Sequence, residues 1–133
     1  MATSIYKPEM ARLANVQEVT GLEKLFHIEL PEGQDLGHDP GQFVMLSVLG
    51  VGEAPISITS SPSRSNGDFE LCVRKVGDVT GALHGMKQGD QVGIRGPFGA
   101  GFPIDEMRGK DVLFAPGGLG LAPLRSLINQ VLD

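Results

Sequence analysis

The chain has 133 residues, a formal charge of −5 and one cysteine, Cys72. That length supports one domain of ordinary size, and the acidic balance argues against a nucleic-acid backbone as partner, because such binders concentrate Lys and Arg. A single cysteine excludes an internal disulfide and a cysteine cluster for zinc or iron–sulfur within these residues. Apolar residues at 41% suffice for a core, so disorder is not expected. The start of the chain lacks a charged segment followed by an apolar one, so no secretion signal is read there. Gly and Pro interrupt the uncharged run at 112–124, so no membrane span is expected either. A reducing, cytoplasmic setting fits these features.

Residues 1–10 read as an extended lead-in. Residues 12–19 alternate loosely and predict a first strand, broken by Thr20-Gly21. Residues 24–30 alternate well, with Phe26, Ile28 and Leu30 on one face, and predict a hairpin with the first strand. Residues 31–40 form a loop rich in acid, Gly and Pro. Strands are predicted at 43–48 and at 55–59, where Pro55 takes the first position and its missing donor does least harm. Asn66-Gly67 marks a turn. A fifth strand follows at 69–75, with Phe69, Leu71 and Val73 on one face. Residues 78–86 predict a short helix with Asp78 as its cap. Residues 91–95 make a sixth strand, and Gly96 to Gly101 a loop. Six short strands and one helix predict a mainly β fold, a small antiparallel Greek-key barrel over residues 1–108.

The pattern then changes. The apolar run Val112-Leu113-Phe114-Ala115 predicts a buried parallel strand. Pro116-Gly117-Gly118-Leu119-Gly120 follows, then a helix with Leu124, Leu127, Ile128, Val131 and Leu132 as its stripe. Residues 109–133 are thus expected to open an α/β nucleotide-binding domain. One strand and one helix cannot cover both faces of a parallel sheet. About 100 further residues, or a partner, are therefore expected to complete it.

Three motifs carry chemistry. The first is Ala54-Pro55-Ile56-Ser57, which leads into Ile58-Thr59-Ser60-Ser61; its hydroxyls give and accept hydrogen bonds without charge. The second runs Cys72-Val73-Arg74-Lys75-Val76-Gly77 and then Val79-Thr80, where a strand delivers the chain to a helix start that favours anions. The third, Gly117-Gly118-Leu119-Gly120-Leu121-Ala122-Pro123, joins a predicted strand to a helix, where glycine lets a phosphate approach the backbone. Cys72 reads as a packing residue with no activating neighbour in sequence. His84 reads as a surface or packing residue.

In this order, and with Gly41-Gln42-Phe43 ahead of them, the motifs resemble the ferredoxin–NADP reductase superfamily over residues 8–133. The family pattern at the first motif is Arg-x-aromatic-Ser. Ser57 matches it, Ile56 replaces the aromatic residue and Ala54 replaces the Arg. The resemblance implies an FAD site at Ala54, Pro55, Ile56, Ser57, Cys72, Val73, Arg74, Gly77, Val79 and Thr80, with Ser57 at the reactive edge of the flavin. It implies an NAD(P) pyrophosphate site at Gly117, Gly118, Gly120, Ala122 and Pro123. Arg74 is expected to replace the charge missing at position 54. No metal ligand is expected.

The likeness is greatest to gamma subunits of cytoplasmic nickel–iron hydrogenases and sulfhydrogenases and to the dihydroorotate dehydrogenase electron-transfer subunit. It implies an NAD(P)H-dependent flavin oxidoreductase with iron–sulfur or hydrogenase-type partner subunits. A [2Fe-2S] centre would lie beyond Asp133, and the 133 residues alone are expected not to complete NAD(P)H oxidation. Self-association through the C-terminal strand and helix is also expected. The alternative reading is a non-catalytic barrel that docks partner subunits and binds flavin weakly or not at all.

Overall fold

The computed structural model describes residues 6–133. The expected lead-in over 1–10 lies partly outside them, and its described end already enters the first strand. Six strands form one antiparallel sheet: β1 (Glu9–Glu18), β2 (Glu23–Glu29), β3 (Phe43–Val48), β4 (Gly52–Ser57), β5 (Phe69–Arg74) and β6 (Gln91–Phe98). Their order is β4-β3-β6-β1-β2-β5, so β6 returns to lie between β1 and β3. That insertion is the Greek-key crossing.

Alternation decides which side chains turn inward. On β2, Phe26 and Ile28 are fully buried, and on β5 Phe69 and Leu71 oppose them. Val44 and Leu46 on β3 and Val92 and Ile94 on β6 complete the same core. The central strands therefore owe their position to apolar burial, at roughly 25 cal/mol per Å² removed from water.

The helix α1 (Asp78–His84) sits against β3 and β4 and buries Leu83 completely. Its N-cap is Gly77, not Asp78. The expected capping role falls instead to Thr80, whose Oγ1 accepts from the Val76 and Gly77 N–H groups at 2.9 Å each. Asp78 cannot serve because it is already the first helical residue.

β6 runs three residues past its expected end, through Gly96-Pro97-Phe98. Gly96 permits this: its φ is +133°, and a Cβ there would stand 3.3 Å from the Phe43 carbonyl oxygen. A short helix, α2 (Ile104–Met107), follows in a stretch with no periodic signal.

The strand expected at 112–115 does not form. Among the described residues no strand lies beside it, and Leu113 is 92% exposed. A lone extended segment has no ladder to satisfy its backbone groups, so it stays irregular. The helix α3 (Leu121–Leu132) does form, with Pro123 in its first turn. It packs on the barrel through Leu127, while Leu121 and Leu132 remain exposed. Among the described residues no helix is long and apolar enough to cross a membrane.

Candidate functional site

The site begins where the barrel fails to close along its whole height. β4 pairs only with β3, and β5 only with β2, except for one bridge between Ile58 and Leu71. The Thr59 N–H reinforces that end by donating to the Glu70 carbonyl at 3.0 Å. Beyond the bridge, β4 and β5 diverge. Between them lies a cleft of about 550 Å³.

Ala54, Pro55, Ile56 and Ser57 form one wall of the cleft and Cys72, Val73 and Arg74 the other. Val76 and Thr80 close it at the α1 end. Leu119, Gly120, Ala122 and Pro123 close it at the start of α3. The three sequence motifs, up to 69 positions apart, therefore meet in one place. Four expected residues do not line it. The Val79 side chain packs against the core, Gly77 and Gly117 stand outside, and Gly118 lines a neighbouring cleft. Val76 and Leu119 line the cleft although neither was expected. Leu119 lies inside the third motif, so its position between glycines was the available signal.

Each wall has a distinct chemistry. Ser57 is exposed at the end of β4 and presents a free-standing hydroxyl at the cleft. Ile56, half-buried, offers an apolar surface where an aromatic ring was expected from the family pattern. Arg74 is 46% exposed at its side chain and forms a loose ion pair with Glu23 at 3.8 Å. A guanidinium carries five N–H donors, so this pair leaves others to meet an anion. Burial, followed by the nearby Glu23 charge, pushes the Cys72 thiol up from its ordinary value. It is a neutral packing group, not a nucleophile.

At the α1 end, Thr80 Oγ1 accepts two N–H bonds and donates to the Gly77 carbonyl at 3.3 Å. A hydroxyl has one donor and two acceptor positions, so all three are committed. Thr80 therefore shapes the turn. The amides of residues 78–80 precede the first helical bond, Gly81 N–H to Gly77 O at 2.7 Å. His84 Nε2–H donates to the Val73 carbonyl at 2.8 Å and the ring packs on Phe26, so it acts in the scaffold.

The hydroxyl run after Ser57 has a different task. Thr59 Oγ1 donates to the Ala122 carbonyl. The Ser60 carbonyl accepts from Ser126 Oγ at 2.7 Å and pairs with His38 Nε2 at 2.9 Å. Ser61 Oγ donates to Gln130 Oε1 at 3.0 Å. Arg64 holds Asp133 through two bonds of 2.9 Å. Arg125 reaches Glu70 at 2.9 Å. These contacts seat α3 on the barrel.

A second cleft, of about 510 Å³, adjoins the first. Cys72, Leu119 and Ala122 line both and form the partition. Leu25, Leu121 and Ile128 give the second cleft a mostly apolar wall. Among the described residues no cluster of three or more His, Cys, Asp or Glu is placed to hold a metal ion.

The family profile described as the oxidoreductase FAD-binding domain matches residues 10–102. The gamma subunit of sulfhydrogenase 1 from Pyrococcus furiosus is 49% identical over 131 residues, covering 96% of this chain and 44% of the relative. The gamma subunit of sulfhydrogenase 2 from the same organism is 44% identical over 131 residues, with 96% and 45% covered. A probable dihydroorotate dehydrogenase B (NAD(+)) electron transfer subunit from Methanothermobacter thermautotrophicus is 35% identical over 128 residues, with 96% and 45% covered. The chain thus spans less than half the length of these relatives. Among solved structures, an Amycolatopsis cytochrome P450 reductase superposes with a TM-score of 0.74 at 30% identity, over 92% of this chain and 39% of that one. Phthalate dioxygenase reductase shares the fold, with a TM-score of 0.71 at 15% identity over 92% and 39%.

Proposed function

The chain belongs to the oxidoreductase FAD-binding domain family, and from that premise we propose that it is the flavin-holding part of an electron-transfer subunit working between NAD(P)H and iron–sulfur partners. One observation carries the reading. Residues of three separate motifs, 54–57, 72–74 and 119–123, line a single cleft between two unpaired strand edges.

The residues present fit the group. Ile56, Val73 and Leu119 offer apolar surface to a planar ring. The first-turn amides of α1 and the Arg74 guanidinium suit a pyrophosphate, the amides by partial charge and the arginine by its fork of donors. Ser57 would offer its hydroxyl to the reactive edge of the ring. Bound there, the flavin supplies the chemistry that links two-electron and one-electron carriers. The protein orients it, neutralises its phosphates and limits water.

We read residues 1–108 as the flavin barrel and 109–133 as the opening of an NAD(P)-binding unit. Gly117, Gly118 and Gly120, at the approach to α3, would hold the nucleotide's pyrophosphate. The exposed Leu113, Leu121 and Leu132 support a surface for a redox partner, or for a second copy, on this C-terminal segment. Sulfhydrogenase and dihydroorotate dehydrogenase relatives are named as subunits, which supports a place in a complex. A [2Fe-2S] centre and the rest of the nucleotide site are expected on residues outside these 133. A cytoplasmic location accords with that chemistry.

Titration with FAD tests the reading. Saturable yellow colour and quenched flavin fluorescence, without sustained NAD(P)H-dependent dye reduction by the 133 residues, are expected. A colourless protein that takes up no FAD would favour the docking module instead, and Ala54, which removes the family's arginine, is the feature that reading rests on.

A further inference from the structure

We propose that Thr59 is a positioning residue for the cofactor cleft, holding the start of α3 at the separation from β4 that the cleft requires. The inference rests on the flavin reading of that cleft. Thr59 lies two residues beyond Ser57 and is 1% exposed. Its hydroxyl donates to the carbonyl of Ala122, and Ala122 with Pro123 lines the same cleft as Ser57. Ala122 is also part of the partition from the second cleft, which Thr59 itself lines. This one bond therefore ties the partition to the strand that carries Ser57.

The chain offers little else to fix that point. The segment from Asp111 to Gly117 approaching α3 has no regular secondary structure. The other ties lie further along α3, at Arg125, Ser126, Gln130 and Asp133. They locate the body and far end of the helix. Only Thr59, among the hydrogen bonds described above, grips its first turn. Without the Thr59 donor the Ala122 carbonyl keeps its partner within the helix, but the first turn loses its tie to the barrel and shifts relative to β4. Such a shift changes the width of the cleft and opens its partition.

The test compares Thr59→Val, which keeps the shape and removes the donor, with Thr59→Ser, which keeps the donor. Amide exchange over residues 118–126, the dissociation constant for FAD and the visible circular dichroism of bound FAD are read together. Thr59→Val is expected to speed exchange there, weaken FAD by about tenfold and alter the dichroism at saturation, with Thr59→Ser near wild type. Ser126→Ala serves as a comparison for general loosening of α3. It is expected to raise exchange across the helix with a smaller loss of FAD affinity. Faster exchange in Thr59→Val with unchanged affinity and dichroism would overturn the inference and leave the flavin reading intact. A loss in Ser126→Ala equal to that in Thr59→Val would also overturn it, since any loosening of α3 would then suffice. A wild-type protein that takes up no FAD would overturn the flavin reading, and this inference with it.

Discussion

Ile58 bridges Leu71, and this contact marks where the barrel is shut and where it is open. Both side chains are buried, at 1% and 0% exposure. On one side of them the Thr59 backbone and the Ser60 hydroxyl continue the seam onto Glu70. On the other, β4 and β5 part, and the cleft occupies the gap.

Filling that gap from Ser57 should abolish FAD uptake without unfolding the barrel. Ser57 is exposed, so Ser57→Trp is expected to change stability by no more than about 0.5 kcal/mol. FAD affinity should fall more than about a hundredfold, the loss of a well-packed planar group. Parallel FAD titration and thermal melting check this. A variant that still turns yellow would place the cofactor elsewhere.

Arg74 is expected to supply the phosphate charge that Ala54 does not. Arg74→Ala should weaken FAD by roughly tenfold or more, since hydrogen bonds to charged groups contribute about 1.5–3 kcal/mol. The loss should shrink as salt rises from low to about 1 M, where screening acts within a few ångströms. An affinity that is unchanged at low salt would remove Arg74 from the site.

Thr80 organises the turn into α1. Thr80→Val deprives the Val76 and Gly77 N–H groups of their shared acceptor. A stability loss of about 1–3 kcal/mol is expected, with faster amide exchange at residues 76–81. FAD binding should weaken too, because the first-turn amides lose their fixed direction. Urea unfolding beside FAD titration separates the two effects.

The far end of α3 should be sensitive to acid. Hydrogen bonds from Arg64, and then from Ser63, hold the Asp133 carboxyl down at about 2. A folded value below the unfolded one means that the contact stabilises the docked helix above the ordinary carboxylate range. That stabilisation fades as pH falls from about 4 towards 2. Exchange at residues 129–132 should therefore rise across that window in wild type. Asp133→Asn should show fast exchange already at neutral pH and lose the step.

Much of this arrangement was legible because alternation is local. Phe26, Ile28, Phe69, Leu71 and Val73 announced their strands by spacing alone, and all are buried. The meeting of the three motifs was legible only through family resemblance, since nothing within residues 54–57 states that 119–123 will face them. Gly96-Pro97 read as a loop because both residues usually end strands, yet here they continue β6 past a bulge. Val112 to Ala115 read as a strand because an apolar run reports burial, while strand formation depends on a neighbour. The hydroxyls from Ser57 to Ser61 read as one ligand surface. They divide between two tasks because β4 ends at Ser57, and the partners of Thr59, Ser60 and Ser61 on α3 lie more than sixty positions away.

The divergence of β4 and β5 has a consequence for the protein's solubility. A site made from two open strand edges is also an invitation to any extended peptide. Pro55 has no N–H to offer an incoming strand at the open edge of β4. Thus that edge is blunted before any ligand arrives. Pro55→Ala should turn a cleft for a small molecule into a seed for aggregation, visible as concentration-dependent light scattering that added FAD suppresses.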